Sequence, residues 1–261
     1  MDHPHPLSVS YLCPAQLGRQ SAAWRRRALG YVTFADGFPY REAAGVPVVR
    51  VDAPVLGGRD GFMEVWHGAP TVSAGQRGAV RYSHNDDLLF GYVALQEADF
   101  SAAPAGAEST SPLQRATKHA FQEIFGLIDG FNYPYLLRIL NYFPAINEDS
   151  HGLERYRQFN IGRQEGFAAC GRPLTENVPA SCALGAMSGK LTIYFIAGRN
   201  RPVAIENPRQ VSAYHYPADY GPRSPTFSRA ALARVGAQEV LFISGTSSIV
   251  GHRTVHVGDV D

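Results

Sequence analysis

The sequence is poor in cysteine, has no long apolar run and carries almost no net charge. Its cysteines, Cys13, Cys170 and Cys182, are odd in number, widely spaced and form no CxxC pair. That excludes a disulfide framework and a zinc ribbon, and it fits free thiols in a reducing compartment, so a cytoplasmic location is expected. No stretch reaches the ~18 consecutive apolar residues of a membrane-spanning helix. The first ten residues lack a basic segment leading into an apolar one, so no secretory signal is expected. With 24 Lys and Arg against 23 Asp and Glu, the formal net charge of +1 draws the chain neither to nucleic acid nor to an anionic membrane. The run Arg25-Arg26-Arg27 is its basic cluster and reads as a solvated patch. There is no P-loop, no GxSxG and no GxGxxG after a strand, which leaves nucleotide and serine-hydrolase chemistry without support. His252 and His256 stand four apart with no third ligand beside them, so no metal is expected.

What is present is an ordinary globular balance. The 261 residues are 45% apolar and 18% charged, enough for one large domain or two smaller ones. Apolar or alternating runs at 7–12, 28–34, 46–51, 62–67, 79–84 and 88–96 predict strands, punctuated by Gly37-Phe38-Pro39 and Gly57-Gly58. Residues 101–111 read as an exposed loop. Ser111 as a cap, Pro112 at the first helical position and Leu113, Ala116, Ala120, Ile124 and Leu127 at helical spacing predict a helix over 112–129. A doubly apolar strand follows at 135–143, then a helix over 150–170 and a long β run over 182–197. Strand, helix, strand, helix, strand is an α+β (α/β-like) order, with mixed sheets and helices packed on one face.

A second unit begins near residue 206, giving expected domains of 1–205 and 206–261. Strands are predicted at 211–216, 229–235 and 240–244, with a turn-rich segment at 220–225. No helix pattern follows to cover the second sheet. A bare apolar sheet face is a poor end point for a fold, so truncation is expected.

Polar residues in apolar places carry the functional signal. Arg138 sits among Leu136, Leu137, Ile139 and Leu140, and strict alternation would put Leu136, Arg138, Leu140 and Tyr142 on one face. An arginine there needs either an internal ion pair or an anionic ligand. On the second helix, Tyr156, Asn160, Arg163 and Phe167 fall on one stripe that is too polar for plain core, while Arg155 and Arg157 flank it as surface or rim charges. Tyr214, Tyr216 and Tyr220 stand near Arg209, Arg223 and Arg229. Phenols and guanidinium forks together suit a small, anionic, ring-shaped ligand. Gly245, after a strand, would let backbone approach a ligand closely.

Several of these runs in order resemble the chorismatase family: Arg138 to Tyr142 with Ile146-Asn147, Gly152 to Phe159 with Gly162-Arg163, Leu191 to Phe195, Glu206 to Tyr214 and Tyr220 to Arg229. Leu241 to His252 resembles the opening of that family's RidA/YjgF-like C-terminal domain, so a RidA/YjgF-like (chorismate-mutase-like) architecture is implied. The resemblance implies cleavage of the enolpyruvyl ether of chorismate without metal or organic cofactor. Pyruvate would be released with 3-hydroxybenzoate, with 4-hydroxybenzoate or a dihydroxycyclohexadiene carboxylate as other products of the family. It implies substrate binding by Arg138, Tyr142, Arg163, Tyr214, Tyr220, Arg223 and Gly245, in a monomer or small homo-oligomer. The family's general acid is a glutamate late in the C-terminal domain, and no residue here matches it; Glu206 and Glu239 fall outside that motif. A RidA-like enamine or imine deaminase and a non-catalytic aromatic-acid-binding protein are the alternatives.

Overall fold

The computed structural model describes residues 6–34, 45–55, 61–69, 71–102 and 110–259. Gly37-Phe38-Pro39, Gly57-Gly58 and most of the 101–111 segment lie outside that set. The N-terminal region builds a four-stranded sheet from β1 (Leu7–Leu12), β2 (Ala28–Thr33), β3 (Val48–Arg50) and β4 (Met63–Gly68), in the order β1-β4-β2-β3. Two short helices, α1 (Pro14–Gly18) and α2 (Ala22–Arg25), connect the first two strands. The basic cluster is partly structural: Arg25 donates to the Leu17 carbonyl at 2.8 Å, and Arg27 to that of Gly68 at 3.1 Å.

The central sheet has six strands: β5 (Ser73–Arg77), β6 (Val80–His84), β7 (Leu88–Leu95), β8 (Tyr135–Pro144), and then β11 (Ala180–Ala186) and β12 (Leu191–Gly198), ordered β11-β8-β12-β7-β6-β5. Only the β11–β8 pair is parallel. Helices α3 (Pro112–Gly130) and α4 (Arg155–Ala169) cover one face. Ser111 caps α3 by accepting from the Gln114 amide at 3.1 Å, so sequence and structure agree on where that helix starts. The other face packs on the four-stranded sheet through Leu29, Val32, Trp66, Phe90, Leu140 and Tyr194. The α+β class and the helices on one face are as the sequence implies.

Four local readings are corrected. The helix expected over 150–170 starts at Arg155, because β9 (Asp149–Ser150) and β10 (Leu153–Glu154) first form a small hairpin. The β run over 182–197 is two strands parted by a turn in which Gly189 takes φ +98°, a left-handed value that suits glycine. The strand expected over 211–216 is instead a 3-10 turn, Ala213–His215, closed by the His215 and Tyr216 amides on the Ser212 and Ala213 carbonyls. Lastly, the β8–β12 register shifts at Ile196/Ala197, opposite Leu136–Arg138. Leu136 therefore packs on the helix side with Ile139 and Phe143, while Leu137, Leu140 and Tyr142 pack on the other side.

A third sheet follows: β13 (Val203–Ile205), β14 (Ala230–Val235) and β15 (Gln238–Ile243), then a ribbon of β16 (Ile249–Val250) and β17 (Arg253–Thr254). β13 falls before the expected boundary at residue 205 yet pairs with this later sheet. Val203, Leu232 and Leu241 line up across it, as do Ile205, Ala230 and Ile243. Val203 and Ile243 are each 61% exposed, so this face of the sheet is apolar and open, as the sequence suggested. Among the described residues, no helix is long and apolar enough to cross a membrane.

Candidate functional site

A cavity of about 590 Å³ opens where α4, β11 and the 216–229 segment meet the turn after β15. That is a usual size for a small-molecule site. Arg163 reaches it from α4, whose polar stripe was the clearest signal in the sequence. Its residue is 2% exposed, and its Nη2 donates to Asn160 Oδ1 at 2.8 Å, one turn back on the same face. Its Nε is buried with no hydrogen-bond acceptor among the described residues. Burial pulls its pKa down to about 10, opposed by Tyr156, which still leaves a full positive charge at neutral pH. Phe167, the fourth member of the stripe, packs instead on Phe121 and Phe125.

Arg229 faces the same cavity from the segment just before β14 and is 8% exposed. Its Nη2 donates to the Tyr216 hydroxyl at 2.7 Å and to the Val211 carbonyl at 3.1 Å, and its Nε is buried with no acceptor among the described residues. The guanidinium lies over the Tyr216 and Phe227 rings, at 5.7 and 5.3 Å from their centroids. Tyr220 completes this wall; its hydroxyl is 3.1 Å from His252 Nδ1. The 220–224 turn is held on α4 by Gln164, which donates to the Ser224 carbonyl at 2.8 Å. Gly221 has φ +129° in that turn, with the Arg157 side chain close enough that any Cβ would touch it.

The opposite edge is fixed by a buried serine ladder. Ser244 Oγ donates to the Ser228 carbonyl at 2.6 Å and accepts from the Ser181 amide at 2.8 Å. This ties β11 to the third sheet and presents Gly245, whose amide donates to Cys182 Sγ at 2.9 Å. Asn141 supports the same strand through the Cys182 carbonyl at 2.7 Å.

The structure thus gathers Arg163, Tyr220 and Gly245 and leaves four other candidates elsewhere. Arg138 and Tyr142 lie together, as strand alternation puts them, on the sheet face away from the helices and line other cavities. Tyr214, in the 3-10 turn, packs against His215, and Arg223 is exposed on the turn that carries Tyr220. Tyr216, Arg229 and Cys182 do line the cavity. The first two were named in the tyrosine- and arginine-rich stretch but not among the expected substrate-binding residues. Cys182 gave no signal beyond its place in a strand. Arg157 is a rim charge paired with Glu154 at 3.1 Å, whereas Arg155 is no surface charge but bonds Glu97 from a largely buried position.

Charge decides what this cavity can hold. Among the described residues, neither Arg163 nor Arg229 has a carboxylate within 4.0 Å. Burying an uncompensated charge costs several kcal/mol, which a ligand anion would offset. Two such cations with phenols and a Phe ring between them suit a small dianion with a flat or ring-shaped body. Glu154 is the carboxyl side chain lining the cavity, and it is engaged by Arg157. Glu206 lies outside the cavity, its carboxyl oxygens buried and without a hydrogen-bond partner among the described residues, and Glu239 pairs with Arg234 on the exposed hairpin.

Residues 64–197 match the family model described as chorismatase FkbO/Hyg5-like, N-terminal. A 3-hydroxybenzoate synthase from Streptomyces hygroscopicus is 35% identical over 246 residues, covering 90% of this chain and 67% of that protein. A chorismatase from Streptomyces rapamycinicus is 41% identical over 206 residues, covering 77% of this chain and 58% of that protein. The chain therefore spans about three-fifths of the length of such relatives. A crystal structure of a chorismatase superposes with a TM-score of 0.80 at 32% identity, over 97% of this chain and 72% of the other. By sequence and fold alike, the chain belongs to the FkbO/Hyg5-like chorismatase family.

Proposed function

We propose that the protein cleaves chorismate to pyruvate and a hydroxylated ring acid, and that the cavity between α4 and the third sheet binds the substrate. The observation that carries this reading is the pair of buried, uncompensated guanidiniums of Arg163 and Arg229. Chorismate has two carboxylates on a diene ring and its enolpyruvyl side chain. One carboxylate would take the unfilled donors of each arginine, with Tyr216 and Tyr220 beside the ring. The reaction needs a proton delivered to the enolpyruvyl methylene, which creates an oxocarbenium-like centre and lets the ether bond break. Arg163 and Arg229 bind and orient; we assign the acid to no residue of the cavity, since Glu154 is held by Arg157. Of the products, 3-hydroxybenzoate is favoured by the name of the 35%-identical relative.

The engagement of Glu154 also favours a second reading, a binding protein for aromatic acids without turnover. Incubation of the protein, expressed from its complete reading frame, with chorismate separates the two. Chromatography should find a hydroxybenzoate in equal amount to pyruvate. Retention of unchanged chorismate at stoichiometric occupancy would establish binding without catalysis.

A further inference from the structure

A second polar cavity, of about 320 Å³, lies on the other side of the central sheet between β1, β4, β8 and β15. Its lining is mixed: Leu7, Val9, Leu140, Val240 and Phe242 give apolar surface, and Glu64 and Arg138 are its charged side chains. Glu64 projects into it from β4 and is 8% exposed. One carboxyl oxygen, Oε1, accepts from Trp66 Nε1 and from the Tyr194 hydroxyl, the latter at 3.4 Å. No hydrogen bond is made to Oε2 among the described residues, and it is not sealed from solvent. Arg138 faces the same space from β8. Its Nη1 donates to the Ile243 carbonyl at 2.9 Å, and no carboxylate lies within 4.0 Å of it among the described residues. A carboxyl and a guanidinium thus share one cleft without forming an ion pair among the described residues.

We infer that this cleft is a second ligand site, which takes a small ring-bodied monocarboxylate held by the Arg138 fork at its carboxylate and by Glu64 as hydrogen-bond donor. The walls provide the apolar surface that such a ring needs, and the two polar groups fix its orientation. The site stands apart from the Arg163 cavity, shares no lining residue with it and does not depend on the reading of that cavity.

For Glu64 to donate, its carboxyl must hold a proton, and its surroundings favour this. Burial raises its pKa, opposed by the Trp66 hydrogen bond, the Arg138 charge and the Tyr194 hydrogen bond. The titratable and charged groups facing it are Tyr11 of β1, Arg138 and Tyr142 of β8 and Tyr194 of β12. The phenols have raised pKa values and stay neutral, so Arg138 is the one charge among them. An ionised Glu64 would repel the ligand carboxylate, so affinity should fall as pH rises.

Benzoate is a suitable probe, titrated into the full chain and read by tryptophan emission. Of the two tryptophans, Trp66 lines this cleft and bonds Glu64, whereas Trp24 packs on His67. The expected result is saturable quenching that is tighter at pH 5.5 than at pH 8. It should weaken at least about tenfold in Arg138→Met and Arg138→Lys, lose its pH dependence in Glu64→Gln and persist in Arg163→Lys. Quenching unchanged in both Arg138 variants, abolished in Arg163→Lys, or absent from the wild type would each overturn the inference.

Discussion

Arg163 carries most of the site's logic in one side chain. Its neighbours on the helix were readable from sequence because a 3.6-residue period converts spacing into direction. Asn160 and Tyr156 fall where that period puts them, one bonding the guanidinium and one lining the cavity. Arg138 was legible as an anomaly but not as a member of this site. The irregularity in β8 moves Leu136 and leaves Arg138, Leu140 and Tyr142 on one face as alternation predicts, but the sequence does not say which face of β8 looks towards α4. Tyr142 shares its fate, and its burial, which pushes the phenol up to about 12, makes it a neutral group. Arg229 was legible as one of several arginines near the tyrosines but not as the one at the site, because its buried state depends on Tyr216 and Phe227 folding over it, a tertiary fact. The two α4 arginines at the cavity give a sharp prediction. Arg163→Lys should lower kcat/KM for chorismate at least about tenfold, because an ammonium cannot reproduce a two-pronged contact. Arg157→Lys should change it less than about threefold, since a half-exposed rim pair contributes little. Steady-state kinetics on both variants checks this, and equal losses would contradict the burial-based assignment.

At the scale of elements, the site depends on how closely α4 approaches α3. Gly162 and Gly166 stand one turn apart on the contact face of α4. A Cβ on Gly162 would lie 2.3 Å from the Gln114 carbonyl oxygen and 2.9 Å from Thr117 Cβ. Backbone cannot yield cheaply there, so Gly162→Ala should cost about 1–3 kcal/mol and lower activity by tilting the helix that carries Arg163. Gly126, on the exposed side of α3, has open space around its Cβ position, so Gly126→Ala should stabilise by about 0.5–1 kcal/mol through helix propensity. Urea denaturation of both proteins measures the contrast, and the same sign for both would contradict it. Helix α3 was legible almost to the residue because cap, proline and period all agree. The start of α4 was not, because two two-residue strands are too short to leave a pattern. The 211–216 segment alternates like a strand but lies beside Pro217, and its amides close local turns.

At the scale of the whole molecule, the α+β order was legible from the alternation of helix and strand periods. Which sheet packs on which was not, since both faces of β8 and β12 are apolar and the sequence does not say what covers them. On the other face of β4, His67 is buried under Trp24 of α2, and its Nε2 has no hydrogen bond among the described residues. Burial, with a smaller contribution from the Arg27 charge, lowers its pKa from 6.5 to about 4. Between those values the unfolded chain binds a proton that the folded chain refuses, so His67 makes stability fall as pH drops from about 6.5 towards 4. His67→Gln should flatten that slope, seen as urea midpoints at pH 7 and pH 5 that lie closer together than in the wild type; parallel slopes would contradict it. The two buried arginines remain the centre of the account, because on the proposed function they would hold the two carboxylates in the gap between α4 and the third sheet. The measurement that tests this most directly is the rate of pyruvate release from chorismate, coupled to NADH oxidation, for wild-type protein expressed from its complete reading frame and for Arg163→Lys beside it. Steady release by the wild type with a loss of at least about tenfold in the variant is the predicted result; no pyruvate from the wild type, or equal rates from both, would contradict it.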